Sequence, residues 1–180
     1  MSETKNCANI PWSTTEEWGQ VYLSIKRIDD LYEQKLVNVY KTADQIRQRF
    51  EEISGSIEKL CSDTCVYCED ICCIRANIWF DFKDLLYIFF GLNQFPASQI
   101  IKNSSGNRKR ACCHFSGKGC MLSRLERPFI CTWYFCPEQK EYLACHHQKT
   151  KQAIDQNLME IKFLRNKMEE EFIRIPCSNL

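Results

Sequence analysis

Ten of the thirteen cysteines in this 180-residue chain lie between Cys61 and Cys136. Cys61, Cys65, Cys68, Cys72 and Cys73 form a first block, and Cys112, Cys113, Cys120, Cys131 and Cys136 a second. Thiolates are soft, charged donors. Brought within a few Å of one another they repel, unless a cation or an iron–sulfur core neutralises them. Loops of two or three residues let neighbouring cysteines aim at one centre. The first block offers Cys65-x2-Cys68-x3-Cys72-Cys73, with Cys61 a helical turn upstream, and the second offers Cys113-x6-Cys120-x10-Cys131-x4-Cys136. The pattern points to one metal-binding module in which thiolates from both blocks meet around one or two centres.

A secreted disulfide scaffold is the competing source of so many cysteines. Three features favour metal. Met1 to Trp18 has no basic start followed by an apolar run, so no signal peptide is expected. The cysteine count is odd, and adjacent pairs (Cys72-Cys73, Cys112-Cys113) with a C-x2-C spacing suit chelation. The expected location is therefore cytoplasmic. Charge is nearly balanced, 24 basic against 23 acidic residues, which argues against a specific nucleic-acid role or binding to a membrane surface. No apolar run is long enough to span a bilayer: Ile78 to Leu92 is interrupted by Asp81, Lys83 and Asp84.

The elements that must hold the cysteines read as helices. Residues 1–13 lack periodicity. From Ser13, Thr14 or Thr15 as cap, apolar residues recur every three or four positions: Val21, Ile25, Ile28, Tyr32, Leu36, Val39, Ala43, Ile46, Phe50 and Ile53. This predicts a long amphipathic helix over 14–56, broken near Ser54-Gly55-Ser56, with a short turn at Ile57–Leu60. Ile74 to Phe80 fits strand or loop. Asp81 caps a helix over 82–90 that stops at Gly91. Pro96 can start a short helix at 97–102, and 103–110 reads as a loop with a solvated Arg108-Lys109-Arg110 triplet. Gly117, Gly119 and Pro128 predict turns in the second block. A second long helix is expected over 138–175, with Ala153, Ile154, Leu158, Ile161, Leu164 or Arg165, Met168 and Phe172 on its inner stripe and Pro176 at its end. The expected fold is a single, mainly α domain over 1–180. In it two long antiparallel helices flank an irregular, cysteine-rich metal-binding module at 61–136.

Both blocks resemble the YkgJ-like family, the zinc- or iron-chelating cysteine-cluster domain also found in flagellin lysine N-methylase. Cys65-Val66-Tyr67-Cys68-Glu69-Asp70-Ile71-Cys72-Cys73 resembles the family's first signature, with one more residue before the cysteine pair. Cys113-His114-Phe115 is similar to its middle part, and Gly119-Cys120-Met121-Leu122 and Arg127-Pro128-Phe129-Ile130-Cys131 to its last. The resemblance implies metal ligands at Cys65, Cys68, Cys72, Cys73, Cys113, Cys120, Cys131 and Cys136. It leaves zinc or iron open.

Chemistry favours an iron–sulfur cluster, with zinc as the alternative. Structural zinc is often held by two C-x2-C knuckles, and only one is present here. Iron–sulfur clusters accept more varied spacing, and Cys136-Pro137 matches the ending of bacterial ferredoxin motifs. Cysteines buried merely as small apolar residues are the third reading. Cys61-x3-Cys65-x2-Cys68 also has the spacing of a radical S-adenosylmethionine loop, but that chemistry needs a larger barrel. Cys145-His146-His147 reads as helix surface or packing, with metal ligation by the group or by one histidine as the alternative. His114 reads as a hydrogen-bond donor beside the site, and Arg127 as a partner of a carboxylate or of cluster sulfur. Cys7 and Cys177 lie outside the module. The expected role is redox or accessory, with a protein partner on the helical faces. The alternatives are a zinc-stabilised interaction module or a lysine N-methylase-like enzyme, so enzymatic activity stays open, as does oligomeric state.

Overall fold

The computed structural model describes residues 10–69, 71–75, 78–99, 112, 114–116 and 119–177, with the backbone alone at Ile74 and Arg75. The fold is mainly helical. Its helices are α1 (Thr15–Tyr32), α2 (Val37–Thr64), α3 (Cys72–Arg75), α4 (Phe82–Leu92), α5 (Ile130–Trp133), α6 (Pro137–His146) and α7 (Gln148–Cys177). No ladder of strands occurs among the described residues; one isolated bridge pairs Phe115 with Cys120.

Thr14 starts α1. Its hydroxyl accepts the Glu17 N–H while the Glu17 carboxylate accepts the Thr14 N–H, so two otherwise unpaired donors are satisfied. The apolar stripe is then interrupted. A 3₁₀ turn at Glu33–Lys35 separates α1 from α2, so the single helix expected over 14–56 is two. The expected break at Ser54-Gly55-Ser56 is absent: α2 runs through it to Thr64. Ile53, Ile57 and Leu60 are all buried, so the stripe continues across the glycine. A glycine inside a helix costs about 1 kcal/mol, and each buried isoleucine or leucine returns about 1.5–3 kcal/mol.

α2 packs along α7 and α4, and α4 also touches α7. The core between them is built from Ile46, Phe50 and Ile57 of α2, Leu85, Leu86 and Tyr87 of α4, and Ile161 and Met168 of α7. α1 joins through aromatic rings: Trp18 lies 5.4 Å from Phe95 and 6.2 Å from Phe80, and its Nε1 donates to the Pro96 carbonyl at 3.1 Å. Asp81 caps α4 as expected, in a reciprocal box with Asp84. The helix stops two residues past the expected position, where Asn93 takes the left-handed conformation. Gly91 lies inside it, at a close approach to α2 where an added Cβ would stand 3.1 Å from the Ala43 carbonyl oxygen. Residues 96–99 are not helical; the remainder of the helix expected at 97–102, and the loop at 103–110, lie outside the described residues.

The second long helical stretch is also divided. α6 ends at His146, His147 leaves helical geometry, and α7 begins at Gln148 and carries Pro176 in its last turn. On α7, Leu164 and Arg165 are both buried, so both belong to the inner stripe. The guanidinium of Arg165 reaches Asp84 Oδ1 at 2.5 Å and Asp81 Oδ1 at 2.8 Å, and lies 4.6 Å from the centre of the Phe129 ring. No helix among the described residues is long and apolar enough to cross a membrane.

Candidate metal centre

The cysteines sit where α2 ends. Cys61 is in its last turns and Cys65 caps it, donating its backbone N–H to the Cys61 carbonyl. Because α2 is continuous, the two side chains are four residues apart on one helical face, the spacing at which neighbours meet. A 3₁₀ turn at Cys65–Tyr67 then turns the chain away and leaves Cys68 exposed. Cys72 and Cys73 begin α3; Cys72 is exposed and Cys73 half-buried.

The second block returns to the first through the backbone. The Cys112 N–H donates to the Cys73 carbonyl at 2.7 Å. A tight antiparallel return follows: Met121 N–H bonds the His114 carbonyl at 2.8 Å, Ser116 N–H bonds the Gly119 carbonyl at 2.9 Å, and Phe115 faces Cys120. Ser123 and Glu126 close a capping box around the 3₁₀ turn at Arg124–Glu126. Cys131 lies in α5, and Cys136 caps α6 with Pro137 in its first turn.

Two buried polar side chains join the blocks. Arg124 is 5% exposed. Its Nε meets Glu58 Oε1 at 2.9 Å, its Nη1 donates to the Cys131 carbonyl at 2.9 Å, and its Nη2 lies 3.6 Å from Cys61 Sγ. Gln139 of α6 donates its Nε2 toward Cys65 Sγ at 3.4 Å, Cys61 Sγ at 3.8 Å and Thr64 Oγ1 at 3.3 Å. Its Oε1 accepts the Cys136 N–H at 3.3 Å. Arg127 Nη2 adds a second contact to Glu58 Oε1 at 3.2 Å, and its Nε donates to the Leu122 carbonyl at 3.0 Å.

Several thiols are shifted by their neighbours and form a series with the charges that shift them. The hydrogen bond from Cys65 draws the Cys61 thiol down to about 6; burial opposes this and the Arg124 cation helps it. Cys65 is pushed up by the same bond and by burial. Cys72 is likewise drawn down to about 6 by its bond from Cys73, against burial, with the charge of Cys61 also felt. Cys73 is pushed up by Cys72 and burial, then by Cys112 and Cys131. Burial, followed by Cys112 and Cys120, raises Cys131 to about 12. Burial also raises Cys136. The series runs Cys65, Cys61, Cys72, Cys73, then Cys112 and Cys131, then Cys120. It includes thiols of both blocks.

Of the eight positions expected as ligands, Cys65, Cys72, Cys73, Cys120 and Cys131 fall in this series. Cys68 is exposed, Cys136 is half-buried at the head of α6, and Cys113 lies outside the described residues. Cys61 and Cys112 join the series although the expected set omits them. The signal for Cys61 was in the sequence, four residues before Cys65 on a helical stripe. None was available for Glu58, Arg124 or Gln139. His114 stacks edge-on against Phe80 with ring centres 5.9 Å apart. Cys145, His146 and His147 are exposed, and both histidine rings pack on Tyr142, the surface role expected of them.

The cysteines of the described residues carry unbridged thiols. They stand as adjacent pairs; no three His, Cys, Asp or Glu side chains among the described residues form a closed coordination group. The fit to a metal therefore rests on donor chemistry. Soft thiols are gathered from two parts of the chain, their thiolate forms would repel one another, and a buried guanidinium and an amide offer N–H groups to sulfur. No family model matches the chain, and no curated protein or solved structure matches it.

Proposed function

We propose that this chain is a small cytoplasmic iron–sulfur protein, in which thiols of both blocks hold one or two centres and the helices serve as scaffold. The observation that carries the reading is that two buried polar side chains tie both blocks together at the end of α2. Arg124 meets Cys61 Sγ at 3.6 Å and the Cys131 carbonyl at 2.9 Å, and Gln139 meets Cys65 Sγ at 3.4 Å and the Cys136 N–H at 3.3 Å. Ionising that many neighbouring thiols to thiolates without a cation is costly; a metal or cluster removes that cost and converts their proximity into binding free energy. A reducing compartment keeps such thiols available. The ligands are drawn from Cys65, Cys68, Cys72, Cys73, Cys113, Cys120, Cys131 and Cys136, the positions that resemble the YkgJ-like pattern. The role is redox or accessory, with a protein partner on the helical faces.

The scaffold in this reading is an antiparallel pair. Arg49 of α2 meets Glu160 of α7 at 3.3 Å, and Asp63, further along α2, accepts from Tyr142 of α6 at 3.3 Å. Contact order of that kind is what an antiparallel pairing produces. It sets the end of α2, which bears the first block, beside the start of α6, which bears Cys136.

Anaerobic purification followed by iron, acid-labile sulfide and zinc counts, with an absorption spectrum, tests the reading. Iron and sulfide in comparable amounts with broad visible absorption are expected. A colourless protein with about one zinc or more per chain, unfolding on chelation, replaces the cluster with a structural zinc site. A folded protein holding none of the three ends the metal reading.

A further inference from the structure

We infer that Cys61 is itself a ligand of the metal centre, and that Arg124 and Gln139 are positioning residues that donate N–H groups to the sulfurs at the end of α2. This rests on the metal-binding reading and goes beyond the ligand pattern, which begins only at Cys65.

Cys61 and Cys65 form a two-sulfur clamp on one helical face. Positions four apart on a helix place two donors side by side, the geometry that lets a helix offer two ligands to one metal. Both sulfurs are held by the same amide, Gln139 Nε2, at 3.8 and 3.4 Å. Its opposite oxygen is fixed by the Cys136 N–H, which leaves the NH₂ group directed at sulfur. Cys61 receives a second donor from Arg124 at 3.6 Å. Cys68, by contrast, is exposed after the chain has turned away from the helix.

Charge supports the same assignment. Arg124 and Arg127 share a single carboxylate, Glu58. Among the described residues, two guanidiniums against one carboxylate leave one positive charge beside Cys61. A buried cation needs a compensating anion. A centre carrying several thiolates is such an anion, and N–H groups aimed at its sulfurs fix the ligands and tune the metal's affinity and potential.

The test compares wild type with Cys61→Ser, Gln139→Glu and, as control, Cys145→Ser on the exposed end of α6. Each is purified anaerobically, checked for fold by circular dichroism, and assayed for iron, sulfide and zinc per chain and for metal loss to a chelator. Gln139→Glu keeps the acceptor for the Cys136 N–H and removes the donor to both sulfurs. Cys61→Ser is expected to lose metal or change the absorption spectrum. Gln139→Glu is expected to hold metal about tenfold more weakly or worse, and the control to match wild type. Wild-type metal content, spectrum and chelator resistance in Cys61→Ser would overturn the inference while leaving the metal reading in place. Should Cys61→Ser not fold, unchanged chelator resistance in Gln139→Glu overturns it instead. A wild-type protein without iron, sulfide or zinc removes both.

Discussion

Replacing Arg165 by methionine should remove a large part of this protein's stability. The guanidinium is 3% exposed and meets the equally buried Asp84 at 2.5 Å. Asp84 Oδ1 also accepts the Phe129 N–H at 2.9 Å, and Oδ2 accepts the Asp81 N–H at 3.0 Å. Methionine fills much of the same volume, so the principal loss is the cation. Taking one partner from a buried pair costs about 3–5 kcal/mol, because the other charge is left in a poor solvent. The arm to Asp81 adds little, since that carboxylate is about half exposed. For a chain of this size the loss corresponds to a fall of about 6–20 °C in Tm, at about 2–4 °C per kcal/mol. Burial already holds the Asp84 carboxyl up at about 6, against the pull of Arg165. Without the arginine it rises further, so the loss is greater at pH 8, where Asp84 is ionised, than at pH 5, where it is largely neutral. Urea denaturation at both pH values, followed by circular dichroism, measures the difference. A second variant, Arg165→Met with Asp84→Asn, should recover part of the loss at pH 8 by removing the stranded charge. A loss below about 1 kcal/mol at pH 8, the worth of an exposed pair, would refute the reasoning.

The same carboxyl gives a pH signature. Its folded value of about 6 lies above the ordinary 3.8, so folding takes up a proton in that window, and its contribution is complete below about 4 and lost as pH rises through about 6. Wild-type stability, measured by urea titration relative to Asp84→Asn, should therefore fall between pH 4 and 7; a flat difference would contradict it. Gly55→Ala should stabilise by about 0.5–1 kcal/mol, as nothing lies within 4 Å of the added Cβ. Gly91→Ala should destabilise, since its Cβ would stand 3.1 Å from both the Ala43 carbonyl oxygen and the Tyr87 ring; thermal melts of the pair should move in opposite directions. Phe50→Ala, which opens a void beside Tyr87 and Phe129, should cost about 3–5 kcal/mol in a urea titration.

Helical content was legible because period is a local property. Val39, Ile46, Phe50 and Ile53 mark one face whatever packs against them, and all four are buried. Boundaries were less legible, because they depend on what the helix packs against. Ser54-Gly55-Ser56 reads as a breaker, yet Ser54 Oγ bonds back to the Phe50 carbonyl at 2.6 Å and Ile57 is anchored in the core, so the helix goes on. The real interruption, at Glu33–Lys35, carries no glycine or proline and could not be seen. Likewise, His147 divides the last helical stretch in two with no breaker in the sequence.

The site shows the same division between local and long-range information. Cysteine spacing announced thiol chemistry, but which thiols meet depends on contacts tens of residues apart. Among the described residues of the second block, regular backbone bonding is sparse: a short return from 114–116 to 119–121, a 3₁₀ turn and the single turn of α5. What fixes it to the scaffold is a pair of buried guanidiniums. Arg165 of α7 holds Asp84, which takes the Phe129 N–H just before Cys131. Arg124 holds Glu58 and Cys61 of α2 and takes the Cys131 carbonyl just after it. Cys131 is thus bracketed by two charged anchors: Arg165 of α7 acting through Asp84, and Arg124 of the second block itself, which is tied to Glu58 of α2. Hydrophobic packing is non-directional and would locate such a loop only loosely, whereas a planar guanidinium constrains distance and angle together. Helical period marked Arg165 as a candidate for the inner stripe, but nothing in the sequence marked Arg124, because burial of a cation is decided by the carboxylate that meets it. Ligand placement in this protein therefore depends on the ion pairs around the cysteines as much as on the cysteines themselves.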